Sequence, residues 1–307
     1  MESVTVIGCV QVDLVMTPVA DLPPSGATLF VDEATLRVGG AGANAALALA
    51  EAGVRPRLIG CIGEDRLGRW MLDELPDGLA EELYVSDAGR TGLTVACEAP
   101  GRDRTFLTYL GVNDTWSLAM IPADALASRH VLFCDYFCAP SLQGDAAHEL
   151  LSTAREAGAT TYFDTAWDPR GWPDPTREEV ARLLPLVDVF LPNQAEACAL
   201  AGVTDSVTEA ARTLQRASKG WVVVKLGARG CLAVGPDSAQ LEAPAPRTAV
   251  IDSTGAGDAF NAGLIAALAD GRDWRSALGA ATSLATQIVS RPSDARFSPA
   301  AAGGEGG

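Results

Sequence analysis

Short apolar runs rich in β-branched residues alternate with longer Ala- and Leu-rich stretches along most of the chain. Residues 4–7, 57–61, 131–133, 160–163, 187–191 and 221–226 predict strands. Helical periodicity covers about 43–52, 67–75, 146–157, 177–184, 196–201, 208–217, 256–269 and 274–289. This alternation makes βαβ units. The expected fold class is therefore α/β, a doubly wound and mainly parallel central sheet with helices on both faces. Ligands on such sheets sit at the carboxyl ends of the strands.

Two segments break the alternation. Val10-Gln11-Val12-Asp13-Leu14 has period-two polarity and is followed by a loop bearing Pro and Gly, then an extended run near 28–31. Residues 93–99, a turn at Pro100-Gly101-Arg102-Asp103 and residues 105–109 form the second. Together they predict a small antiparallel sheet, built from insertions at about 10–34 and 90–112 into one domain of residues 1–300. A lid that excludes water and a surface for a second copy are both open uses for it. The tail 301–307 reads as disordered.

Composition narrows the function classes. The 307 residues carry 39 acidic and 23 basic side chains, net −16, with no basic run, which argues against nucleic-acid binding. No apolar stretch of membrane-spanning length and no leader-like segment occur, so a cytoplasmic protein is expected. The seven scattered cysteines contain no C-x-x-C and read as buried thiols. With two histidines and no G-x-S-x-G, a zincin or Ser-His-Asp hydrolase is disfavoured.

Candidate chemistry centres on Asp252-Ser253-Thr254-Gly255-Ala256-Gly257-Asp258. A glycine turn into a helix leaves amides and a dipole aimed at an anion. A carboxylate beside that hole suits a base next to a phosphoryl group, with Asp258 taking a proton from an attacking hydroxyl. The bland reading is an Asp capping its own helix start. Gly39-Gly40-Ala41-Gly42-Ala43-Asn44 opens a helix. Its glycines suit close backbone approach to a sugar, with Asn44 at the hydroxyls, or a dinucleotide turn, or an ordinary tight turn. Asn193 and Glu196 suit water-mediated Mg²⁺, or a capping box. Lys225, Gly227 and Gly230 form a strand and turn that brings backbone close to a nucleotide.

In this order the motifs resemble the ribokinase-like (PfkB-type) carbohydrate kinases: Gly-Gly-x-Gly-x-Asn, Gly63-Glu64-Asp65-Arg66-Leu67-Gly68, Asn193-x-x-Glu196, Gly227-x-x-Gly230 and the Asp252–Asp258 segment. The resemblance implies a β-sheet lid and ATP- and Mg²⁺-dependent phosphorylation of a primary hydroxyl. It implies Asp258 as catalytic base, with Gly255, Ala256 and Gly257 as the anion hole. Asp13, Gly40, Gly42, Asn44 and, on the lid hairpin, Arg104 would face the substrate. Asn193, Lys225, Gly227 and Gly230 would flank the nucleotide, and Glu196 with Asn193 would organise Mg²⁺. Asp252 and Thr254 are the residues for a monovalent cation such as K⁺. The lid sheet would pair two copies in a homodimer.

Several positions depart from the family pattern. Ala41 stands where ribokinases often carry Lys, and Phe163-Asp164-Thr165-Ala166 lacks the Asn-x-Arg of keto-deoxy-sugar-acid kinases. Lys225 replaces the usual Ser or Thr, and Arg291-Pro292-Ser293 lacks a glycine near the cation site. A neutral sugar is the expected substrate. A nucleoside kinase with Phe30, Phe106 or Tyr136 at the base is the nearest alternative. An NAD(P) oxidoreductase using residues 40–45 and a catalytically silent sugar-binding protein are the alternatives from other classes.

Overall fold

The computed structural model describes residues 2–97, 105–292 and 296–297. Arg104, the turn at 100–103 and the tail at 301–307 lie outside the described residues.

The strands of the main sheet are β1 (Val4–Ile7), β4 (Arg57–Ile59), β9 (His130–Phe133), β10 (Thr160–Phe163), β11 (Val189–Phe190), β12 (Trp221–Lys225), β13 (Cys231–Val234) and β14 (Gln240–Ala243). Their order is β14-β13-β12-β11-β10-β9-β1-β4. Pairing is parallel from β4 to β12 and antiparallel through β13 and β14. Both faces are buried, so successive side chains enter different cores. Val223 packs in one, Val222 and Val224 in the other.

The helices are α1 (Ala41–Glu51), α2 (Arg66–Glu74), α3 (Asp145–Glu156), α4 (Asp174–Leu183), α5 (Gln194–Ala201), α6 (Val207–Ser218), α7 (Ala256–Ala269) and α8 (Trp274–Val289). α1, α2, α7 and α8 supply one core; α3, α4, α5 and α6 supply the other. On that second side Phe133, Phe163 and Phe190 form a ladder across adjacent strands, with centroids 5.6 and 5.9 Å apart. α7 is buried along most of its circumference and packs on α1 and α8. Gly263 makes the α7–α8 approach possible: a Cβ there would lie 2.9 Å from Ala281 Cα.

Most predicted elements form within a few residues of their expected bounds. Residues 57–61 do not make one strand. The chain breaks at Gly60, where a Cβ would sit 2.5 Å from Val10, and continues as β5 (Cys61–Gly63) beside β6 (Tyr84–Ser86). The hairpin β13–β14 was not anticipated.

The second sheet is built from β2 (Gln11–Thr17), β3 (Glu33–Gly39), β7 (Gly92–Cys97) and β8 (Thr105–Tyr109), in the order β3-β2-β7-β8. The expected strand near 28–31 is not one: Phe30 there is 90% exposed, and pairing with β2 starts at Glu33. Nor is the sheet purely antiparallel, because β2 and β7 run parallel. Its register puts Arg37, Asp13, Thr94 and Thr108 in one polar row and Leu36, Leu14, Val95 and Leu107 in an apolar row on the opposite face. Only three residues separate β1 from β2, so the end of the main sheet feeds directly into this smaller one. Asp65 ties the two parts together. It caps α2 through the Gly68 amide (2.8 Å) and accepts from the amide (3.0 Å) and hydroxyl (2.8 Å) of Thr91, just before β7.

Candidate active site

A cleft of about 1350 Å³ lies between the carboxyl ends of the parallel strands and the polar face of the lid sheet. That volume exceeds the ~300–1,000 Å³ of typical single-ligand pockets and leaves room for two small substrates. Asp13, Gly40, Asn44, Asn193, Glu196, Lys225, Gly227, Gly230, Thr254, Gly255, Ala256, Gly257 and Asp258 all line it. Two expected residues do not. Gly42, in the first turn of α1, packs against the backbone after β1, where a Cβ would meet the Gly8 carbonyl carbon at 2.6 Å, and Asp252 is buried behind the loop.

α2, α5, α6 and α8 start on a side chain that caps their first amides. α1 and α7 start instead on Gly40 and Gly255, with no side-chain cap, and both open into the cleft. Their φ values of +86° and +72° suit glycine. The α1 start is answered by a carboxylate, since the Ala41 amide donates to Asp135 Oδ2 at 2.6 Å. The α7 start faces open cleft and has the form of an anion hole.

Asp258 sits in the first turn of α7 and accepts a hydrogen bond from Asn44 Nδ2 at 2.9 Å. Burial, then the charge of Asp164, pushes its pKa up to about 6, while Asn44, Lys225 and Arg296 work the other way. It is therefore a carboxylate at neutral pH with more basicity than a free Asp, as a proton acceptor requires. Lys225, at the end of β12, donates to Asp164 Oδ2 at 2.5 Å. Burial works against its ammonium, but Asp164 and Glu196 outweigh that and hold its pKa above the ordinary value. Its Nζ lies 3.5 Å from where a Gly257 Cβ would be, so a fixed positive charge adjoins the hole.

Asn193 and Glu196 form the capping box. The Glu196 amide donates to Asn193 Oδ1 (2.9 Å), and the Asn193 amide and side-chain amide donate to the two Glu196 carboxylate oxygens (2.8 and 2.6 Å). Burial and then Asp164 push Glu196 up to about 7. Both residues line the cleft, and a carboxylate oxygen that accepts one hydrogen bond can accept another from a water. One carboxylate and one amide are donors that suit a hydrated Mg²⁺. The monovalent-cation residues do not fit an ion. Asp252 Oδ2 is paired with Arg37 Nη1 at 2.5 Å and Arg296 Nη2 at 3.4 Å, while Arg296 Nη1 donates to the Thr254 carbonyl at 2.9 Å.

At the other end of the cleft Asp13 is buried, with Gln11 Nε2 bridging it and Thr94. Its carboxyl fills the space a Gly39 side chain would take. Sequence reasoning missed three acceptors or donors here: Asp135, Asp164 and Asn261. Asp135 adopts φ +59°, and burial with the nearby Asp258 charge pushes it up to about 8. Asn261 Nδ2 donates to Asp164 Oδ2 at 2.6 Å. The usable signal was position, because Asp164 directly follows β10 and Asp135 lies two residues past the end of β9, both at carboxyl ends of parallel strands. Of the three aromatics expected at a base, only Phe106 lines the cleft. Tyr136 is buried with its hydroxyl donating to Glu179, and Phe30 points away, whereas Phe137 and Trp167 do line it. The dinucleotide reading of residues 40–45 loses its anion site to Asp135.

Comparison with known proteins gives the same answer as the geometry. The chain is 31% identical over 250 residues to the aminoimidazole riboside kinase of Salmonella typhimurium, covering 78% of this chain and 76% of that one. It is 29% identical over 237 residues to the fructokinase of Klebsiella pneumoniae, covering 75% and 76%. The fold is shared with the Arabidopsis thaliana ribokinase solved with ribose and ATP, at TM-score 0.79, 22% identity and 94% and 92% coverage. The pfkB family carbohydrate kinase pattern matches residues 1–301, and the chain belongs to that family of ATP-binding phosphotransferases acting on alcohol groups of sugars and nucleosides.

Proposed function

We propose that the chain transfers the γ-phosphoryl group of ATP to a primary hydroxyl of a neutral sugar or ribosyl compound, with Asp258 as general base. One observation carries this reading: Asp258 stands beside an uncapped, glycine-started helix N-terminus and is held by Asn44 from α1. The substrate hydroxyl would lie between Asp258 and the phosphate, and the base would accept its proton as the O–P bond forms. The α7 amides and Lys225 would stabilise charge on the transferred group. Asn193 and Glu196 would hold Mg²⁺ through water, where it would neutralise phosphate charge. Gly227 and Gly230 would let the nucleotide lie against backbone. A Cβ at Gly230 would lie 1.9 Å from the Ala243 carbonyl oxygen.

At the lid end Gln11, Asp13, Asn44, Thr94, Thr108 and Asp135 line the wall, with no Lys or Arg beside them among the described residues there. Carboxyl and amide oxygens accept from hydroxyls, and none of these side chains offers a positive charge to pair an acid, which supports a neutral polyol over a sugar acid. Phe137 and Trp167 on the same wall, with Trp167 51% exposed, favour an acceptor carrying a flat ring, so a nucleoside is the second reading. A second copy of the chain is the proposed occupant of the apolar row Leu36–Leu14–Val95–Leu107.

The test is ADP release from ATP and Mg²⁺ across pentoses, hexoses, keto-sugar acids and nucleosides. Acceptor-dependent release is expected, and Asp258→Asn should lower turnover by about 10²–10⁴. Near-wild-type turnover in that variant would remove Asp258 from its role.

A further inference from the structure

Directly behind the anion-hole turn lies a closed group of charges that the phosphoryl-transfer reading does not use. Asp252 is 1% exposed, Arg296 3% and Arg37 8%. A carboxylate so deeply buried needs a compensating charge. Asp252 Oδ2 receives it twice, from Arg37 Nη1 (2.5 Å) and Arg296 Nη2 (3.4 Å), while Asp252 Oδ1 accepts the Thr254 amide at 2.8 Å. Arg296 also reaches the loop itself, donating through Nη1 to the Thr254 carbonyl at 2.9 Å. A Cβ on Gly255 would lie 2.7 Å from that nitrogen, so the guanidinium is directly beneath the turn. A carboxylate and a backbone carbonyl converging there are oxygens a monovalent cation would take.

We propose that the Arg296 guanidinium, seconded by Arg37, is a covalently attached replacement for a monovalent cation, and that this kinase is therefore indifferent to K⁺. The argument is one of space and charge. The guanidinium occupies the oxygens an ion would need, and a further cation would meet two arginines there, with Asp252 already paired to both and Asp13 already facing Arg37 Nε at 3.9 Å. Burial first, then Arg37, lowers Arg296 only to about 10, so it stays charged at neutral pH. Neutralising Asp252 from behind keeps its negative charge from opposing the phosphate on the far side of the turn.

This inference rests on the kinase reading for its turnover arm but not for its binding arm. Melting temperature is measured in KCl, NaCl and tetramethylammonium chloride at equal ionic strength, for the wild type and Arg296→Ala. The wild type should melt alike in all three. Arg296→Ala should be stabilised by K⁺ over tetramethylammonium, because the vacated oxygens can take the ion. With whichever acceptor supports ADP release in that panel, wild-type turnover should be the same in each salt. Arg296→Ala should lose about tenfold or more in tetramethylammonium and recover in K⁺. Selective stabilisation or activation of the wild type by K⁺ overturns the proposal, as does an Arg296→Ala protein with full activity and no response to K⁺. Arg296→Lys, which keeps the charge, should remain K⁺-indifferent. If the alanine variant does not fold, the wild-type and lysine arms still decide. If no acceptor is ever found, the kinase reading fails while the melting comparison stands.

Discussion

At the scale of single residues, the Asp258 environment makes a pH prediction whose sign is set by its raised pKa. A base must be unprotonated, so kcat/KM should fall as pH drops through about 6 and be level above it. A limb displaced to the pKa of a free Asp, near 3.8, would show that burial does not act on this group. The same shift predicts an effect on stability. A raised carboxyl pKa favours the neutral form in the folded state, a contribution fully present below the unfolded value and lost as pH rises through about 6. Asp258→Asn should accordingly melt above the wild type at pH 8, with the gap closing between pH 6 and pH 4. The position of Asp258 was legible because a carboxylate beside a glycine-started helix is a local pattern. Asp135 and Asp164 were not legible. Their part depends on strands that bring residues more than 90 positions apart within 2.6 Å, as Asn261 and Asp164 are. The Asp252 pair with Arg37 was hidden for the same reason, with 215 positions between the partners.

At the scale of elements, α7 and α8 formed at their expected bounds because a glycine turn and Asp273 mark their starts. Strand β3 was misplaced for a physical reason. Leu29 and Phe30 have higher strand propensity than Glu33 and Ala34, but pairing with β2 decides, and it fits Arg37 opposite Asp13. The β13–β14 hairpin was missed because its first strand follows a glycine turn that reads as loop. The α7–α8 contact is sensitive to volume at Gly263. Gly263→Val would force the helices apart and should cost about 1–3 kcal/mol in urea denaturation despite the better helix propensity of Val. An unchanged unfolding midpoint would mean that the two helices can separate freely.

At the scale of the whole molecule, the lid sheet has two unlike faces. One is polar and lines the cleft; the other carries Leu36 (42% exposed) and Leu107 (48% exposed) in a continuous apolar row. A row of this kind facing water is the face a second copy would cover under the proposed pairing. Leu107→Asp should convert a dimer to monomers in sedimentation velocity, and a wild type that sediments as a monomer at every concentration would remove the second copy from that face. Net charge of −16 leaves the body of the molecule mutually repulsive, so any pairing has to be driven by this apolar patch.

The hydrogen bond between Asn44 and Asp258 spans 214 positions, and it sets an order of events during synthesis. α1 emerges from the ribosome early and α7 late, with nearly all the sheet made between them. Until α7 arrives, α1 has only β1, β3 and β4 to pack on and lacks its largest neighbour, and Asp258 and its hydrogen-bond donor have not met. A chain stopped anywhere before α7 therefore carries most of a sheet and no phosphoryl-transfer chemistry, and unfinished copies have no means of spending ATP.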